Sequence, residues 1–127
     1  MEDAPVPVAQ GEAAEAVLVA EETVPLQRGA ERLRLDLRKV LETREGGEHN
    51  VTPEKIALVT QILQDIHDDV AKLHDKSNAE RQQMFSLVDK MLAQVKEGKP
   101  KTMNHIMQFV PNFAQSVLKQ MDDEIER

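Results

Sequence analysis

Two histidines and four aspartates crowd one stretch of this chain, Gln64-Asp65-Ile66-His67-Asp68-Asp69 followed by His74-Asp75. Histidine nitrogens with carboxylate oxygens make a donor set suited to zinc or manganese. On a helix His67, Ala71 and His74 share one flank, within approach of Asp68 or Asp75. The spacing argues against a metal. Seven residues separate the histidines, about 10.5 Å of helical rise, whereas two-histidine helix motifs use a spacing of about four. Both read more simply as polar residues bordering a packed seam, where a charge gained below about pH 6.5 would make the packing pH-sensitive.

The other candidates for chemistry are weaker. His49 falls in a link and His105 in the first turn of the last helix, neither beside a Ser, Cys or carboxylate that the sequence can place. Asp65 with Asp69, and Asp122 with Asp123, fall on faces expected to be exposed, not in the buried pair that acid–base catalysis needs. Met84, Met91, Met103, Met107 and Met121 suit an adaptable groove, but methionine at helical spacing reads first as core. No residue is assigned a catalytic, cofactor or metal role, and no small-molecule substrate is expected.

The element that carries the histidines organises the chain. From Ile56 the apolar residues recur in alternating steps of three and four, a heptad pattern. Position a holds Ile56, Leu63, Val70, Ser77, Met84 and Met91, and position d holds Val59, Ile66, Leu73, Glu80, Leu87 and Gln94. The register never slips, yet Ser77 and Glu80 are polar, and no large apolar residue lies between His74 and Gln83. One long helix fits this pattern, and so do two helices turning near Lys76-Ser77-Asn78. In a parallel coiled coil Lys76 would face Arg81, a like-charge pair. Beyond the gap the apolar face widens with Phe85, Val88, Leu92 and Val95, which suits a bundle. Both features favour the turn, with Ser77 or Asn78 as cap.

Around it the chain reads as further helices. Thr52-Pro53-Glu54 is a strong start signal. Upstream, Ala30, Leu33, Leu37, Val40 and Leu41 share a face, ended by Gly46-Gly47; Arg28, Arg32, Arg34, Arg38, Lys39 and Arg44 are interspersed with Glu31, Asp36, Glu42 and Glu45, a pattern expected to form a salt-bridged outer face. Gly98 and Pro100 close the middle element. Thr102 is the expected cap of the last helix, whose stripe is Met103, Ile106, Val110, Phe113, Val117, Met121 and Ile125. Pro111 should kink or break it, and its acidic last turn should fray unless a partner holds it.

Residues 1–25 carry Glu2, Asp3, Glu12, Glu15, Glu21 and Glu22 with no basic residue, against a net charge of −7 for all 127 residues. They bury too little to order themselves. The expected fold is all-α: three or four amphipathic helices in a bundle or coiled coil over 26–127, at about 27–45, 53–75, 79–97 and 102–126, behind a disordered acidic tail. Within that tail Ala16-Val17-Leu18-Val19-Ala20 has the look of a short docking motif. A nearly neutral body is a poor match for nucleic acid. With no cysteine, no basic-then-apolar leader and no apolar run near ~20 residues, the expected location is cytoplasm or nucleus.

The function expected is assembly without catalysis. A small subunit or adaptor would bury Ile56, Val59, Leu63, Ile66, Val70, Leu73, Met84, Leu87 and Met91, together with Ile106, Val110, Phe113, Val117 and Met121, against itself or another helical protein. A second reading lays the basic first helix and amphipathic last helix on anionic lipid, and a third uses the arginines for RNA or DNA. The interspersed acids and the lack of Trp argue against both.

Overall fold

The polar interval after Leu73 is where the chain turns. The computed structural model describes residues 10–45 and 51–126, with side chains of the first helix described from Thr23 to Thr43. Four helices follow one another: α1 Gln10–Glu45, α2 Pro53–Val70, α3 Asn78–Glu97 and α4 Pro100–Ile125. Among the described residues there is no strand, and the fold is an all-α bundle. α1 packs most extensively on α4 and α2, α2 also lies on α3, and α3 and α4 touch least. No described helix is long and apolar enough to cross a membrane.

α1 starts earlier than the expected 27, because its backbone is already helical at Gln10 and stays so through Pro25. The expected tail thus lies partly outside the described residues: 1–9 entirely, and the side chains of 10–22. Gly46, Gly47 and His49 lie outside them too. From Leu26 onward α1 buries Leu26, Ala30, Leu33, Leu37 and Val40.

α2 opens as its sequence requires: the Thr52 hydroxyl accepts from the Lys55 amide at 3.2 Å and Pro53 occupies the first turn. It ends at Val70, five residues short of the expected 75. There the amides of Lys72 and Leu73 reach back only three residues, to the carbonyls of Asp69 and Val70. Leu73 stays fully buried through this tightening. The Arg81 guanidinium donates to the Leu73 and Lys76 carbonyls, giving partners to turn oxygens that no helix serves. Ser77 caps α3 in a reciprocal box, its hydroxyl accepting from the Glu80 amide at 3.1 Å while the Glu80 carboxylate accepts from the Ser77 amide at 3.0 Å. The two-helix reading of 53–97 is the one observed.

Gly98 ends α3 in the left-handed region at φ 67°, where a side chain would be strained. α4 then begins at Pro100, so Lys99 rather than Thr102 is its cap, and no side chain serves that end. Proline fits because a first-turn residue has no intrahelical amide bond to lose. Pro111 does not break α4, which runs on to Ile125 with Pro111 buried. The expected fraying of its last turn is countered from within the chain. Arg34 donates to both Asp122 carboxylate oxygens at 2.7 and 2.6 Å. The Glu124 carboxylate accepts from the amides of His74 and Asp75 at 3.0 and 3.1 Å, tying α4 to the α2–α3 turn.

Ser77→Ala removes half of the capping box at that turn. The expected loss is about 1 kcal/mol, read as a lower urea midpoint with an unchanged slope.

Candidate functional site

The expected interface stripes meet each other. Val59, Leu63, Ile66, Val70 and Leu73 are buried in one core with Met91, Ile106, Val110, Val117 and Met121. In this packing none of them is open to a partner. Ile56, Met84 and Phe113 are half-buried at its margin, and Leu87 is exposed.

Three aspartates lie where the sequence placed exposed charge. Asp36 on α1 is 9% exposed, and Asp65 and Asp69 on α2 are 3% and 0% exposed. The Arg32 Nε stands 3.3 Å from Asp65 Oδ1, its Nη2 3.6 Å from Asp69 Oδ1, and Lys72 Nζ 3.7 Å from Asp69 Oδ1. Gln61 donates to Asp65 at 3.0 Å. Asp36 Oδ2, Asp65 Oδ2 and both Asp69 oxygens are buried without a hydrogen-bond donor. Burial pushes Asp69 up to about 6, opposed by Lys72 and Arg32 and assisted by Asp65 and Asp68. Burial raises Asp36 in the same direction, helped by a hydrogen bond and like charge from Asp65 and opposed by Lys39 and Arg32. Room for Asp69 comes from Gly29 of α1, where an added Cβ would overlap its carboxylate and stand 3.1 Å from Met121 Cε.

The arginine-rich face of α1 is thus partly engaged inside the molecule, through Arg32 on α2 and Arg34 on α4. His67 stacks on Phe85 with ring centroids 4.5 Å apart, and its Nε2 lies 3.7 Å from Asp89 of α3. His74 sits in the turn and is exposed. Among the described residues no group of three His, Cys, Asp or Glu side chains has the geometry to hold a metal ion.

The surface feature with a function in reach is a hollow between α3 and α4, where those helices are least closely packed. It is a shallow depression of about 230 Å³, open to solvent, lined by Leu87, Lys90, Met91 and Gln94 of α3 and His105, Ile106 and Phe109 of α4. Leu87 is 37% exposed and Phe109 44%. Phe109 is held in place by stacking on Phe113, centroids 5.5 Å apart. A second hollow, between α2 and α3, is lined by Thr60, Gln64, Leu92, Ala93 and Lys96 and offers no comparable apolar anchor. Comparison with known proteins finds no matching family model, and no curated protein or solved structure similar to this chain. Its function has to be read from these surfaces.

Phe109 was not among the sequence candidates. Its signal is that it lies off the stripe of Ile106, Val110 and Phe113, an aromatic residue on the polar side of an amphipathic helix. The buried aspartates had a signal as well. Leu58, Ile62, Asp65 and Asp69 repeat in steps of four, three and four, a second stripe beside the heptad seam, so α2 is buried along two lines rather than one.

Two outcomes are expected from the aspartate cluster. Because Asp69 is raised from 3.8 to about 6 in the folded chain, that chain binds its proton where the unfolded chain does not. This stabilisation is fully present below 3.8 and is lost as pH rises through about 6; Asp36 adds to it with the same sign. Melting temperature should therefore rise as the pH is lowered from about 8 to about 5, and Asp36→Asn should raise it at the upper end while shrinking that gain. A flat profile in differential scanning calorimetry would refute the linkage. Gly29→Ala should cost roughly 1–3 kcal/mol by overpacking despite alanine's better helix propensity. Much of that loss should be recovered in the Gly29→Ala, Asp69→Ala double variant, as read by urea denaturation.

Proposed function

We propose that this chain is a non-enzymatic interaction protein that docks a helix of its partner in the α3–α4 hollow. The observation that carries the reading is the pairing of Leu87 with Phe109. They are two of the four large apolar side chains left exposed among the described residues, the others being Val24 and Leu35 on α1, and they line the same hollow. A solvent-exposed aromatic ring fixed by a second ring is the kind of anchor that dominates binding energy in helix-in-groove recognition. The rim carries Lys90 and His105 and no acid, so the chemistry that fits is a helix with an apolar stripe flanked by carboxylates.

Assembly of this kind makes the chain a small helical subunit or adaptor. The heptad seam supports that role indirectly, by building the rigid bundle that presents the hollow. The cysteine-free composition suits work in the reducing cytoplasm or nucleus.

A synthetic helical peptide with an apolar stripe flanked by glutamates provides the test. Fluorescence anisotropy with dilute full-length protein should show saturable binding, weakened about tenfold or more in the Leu87→Ser, Phe109→Ser double variant. Equal binding by both proteins would sink this reading.

A further inference from the structure

We propose that the occupant of the hollow is the N-terminal arm of a second copy of this chain, residues 10–22 of one protomer lying across Leu87, Met91, Ile106 and Phe109 of the other. This rests on the reading of the α3–α4 hollow as a docking surface and adds the identity of what fills it.

Charge is the first support. The segment 10–22 contains Glu12, Glu15, Glu21 and Glu22 and no basic residue. The receiving half of the molecule has the opposite balance. From Asn78 to Met121 there are Arg81, Lys90, Lys96, Lys99, Lys101 and Lys119 against Glu80, Asp89 and Glu97. On α4 no acid occurs between Pro100 and Met121. The two surfaces attract each other, while two hollows or two arms brought together repel.

Pattern is the second. With the backbone of α1 helical from Gln10, positions 13, 16, 17 and 20, occupied by Ala13, Ala16, Val17 and Ala20, share one face at helical spacing. Glu15, Leu18 and Glu22 fall on the opposite face, and Glu12 and Glu21 flank the apolar one. A face of alanines and valine lets a helix approach protruding Leu and Phe side chains closely. At 1.5 Å per residue the thirteen residues from 10 to 22 reach about 20 Å, roughly four turns, enough to cross the hollow.

Position is the third, and it selects a second copy over the same one. α1 runs antiparallel to α2, since Arg32 meets Asp65 and Asp69 and Gly29 meets Asp69 and Met121. Asp69 is one residue from the end of α2, and Met121 is four from the end of α4. The backbone before Leu26 therefore continues beyond the end of the bundle. The hollow lies toward the other end of α4, at Ile106 and Phe109, about 20 Å of helical rise before Met121, so a helix that keeps its axis leads away from its own hollow. The arm of another protomer has no such restriction.

Light scattering of the full chain over a concentration range tests this, with circular dichroism on the same samples. The wild type should have a mass above that of one chain, falling as salt is raised. Val17→Asp in the arm and Phe109→Ser in the hollow should each lower the mass at equal concentration with helicity kept. Mixing those two variants should recover mass, because the first still offers an intact hollow and the second an intact arm. Glu12→Lys should weaken association, and Lys90→Glu should restore it when combined with that change. A wild type that stays one chain at every concentration overturns the proposal, as does mass unaffected by Val17→Asp. Loss of association in Phe109→Ser but not in Val17→Asp would keep the hollow as a docking surface and reject the arm as its occupant. Indifference to both would reject the hollow as well.

Discussion

The close approach of α1 to α2 and α4 at Gly29 fixes the arrangement of the other elements. A glycine inside a helix costs about 1 kcal/mol relative to alanine, and here it opens a notch that receives the Asp69 carboxylate under the end of Met121. A buried carboxylate tolerates few arrangements of its neighbours. With Asp69 seated, Arg32 lies between Asp65 and Asp69, Asp36 lies against Asp65, and Arg34 is aimed at Asp122. Sliding α1 by one turn would take Arg32 away from Asp65 and Asp69 and leave Asp65 buried without its cation, so the polar contacts set a register that interchangeable apolar side chains would leave loose.

What faces outward follows from what that register uses up. α2 is buried along two lines and lends its seam to α1, α3 and α4 together. α4 turns most of its stripe inward, with Phe113 and Ile125 half-buried. Of the large apolar side chains left exposed among the described residues, Val24 and Leu35 stand on α1, while Leu87 and Phe109 share the margin where α3 and α4 separate. An assembly surface on this molecule is thus set by the geometry of its interior, with a basic rim because α4 carries no acid before its last turn.

Much of this architecture could be read in the sequence. Thr52-Pro53, Ser77 with Glu80, and Gly98 each announced a helix boundary by local chemistry that packing did not override. The stripes from Val59 to Leu73 and from Met103 to Met121 gave the core, and the polar interval gave the turn. Three features were not legible. Periodicity identifies residues that are buried but not what buries them, so stripes that fit a partner equally well turned out to fit each other. Asp65 and Asp69 looked exposed because a charge is ordinarily evidence of exposure, and a glycine forty residues earlier in the sequence decided otherwise. Pro111 was expected to kink or break α4; the break does not occur, because the penalty for a missing amide bond is about 3 kcal/mol, less than burial of several large side chains of that helix can offset.

The helices are not equally anchored. α3 buries Val88, Met91 and Val95, against eight buried residues in α2 and nine in α4. Among the described residues it also has no packing contact with α1. The molecule thus resembles a three-helix kernel with a fourth helix leaned against it, and cooperative units of unequal anchorage open at different free energies. On that ground α3 is the unit expected to open first, between the capped turn before Asn78 and Gly98. Its amides would exchange with solvent sooner than those of the kernel. A helix seated across Leu87 and Phe109 would clasp α3 to α4, bringing its exchange closer to that of the kernel.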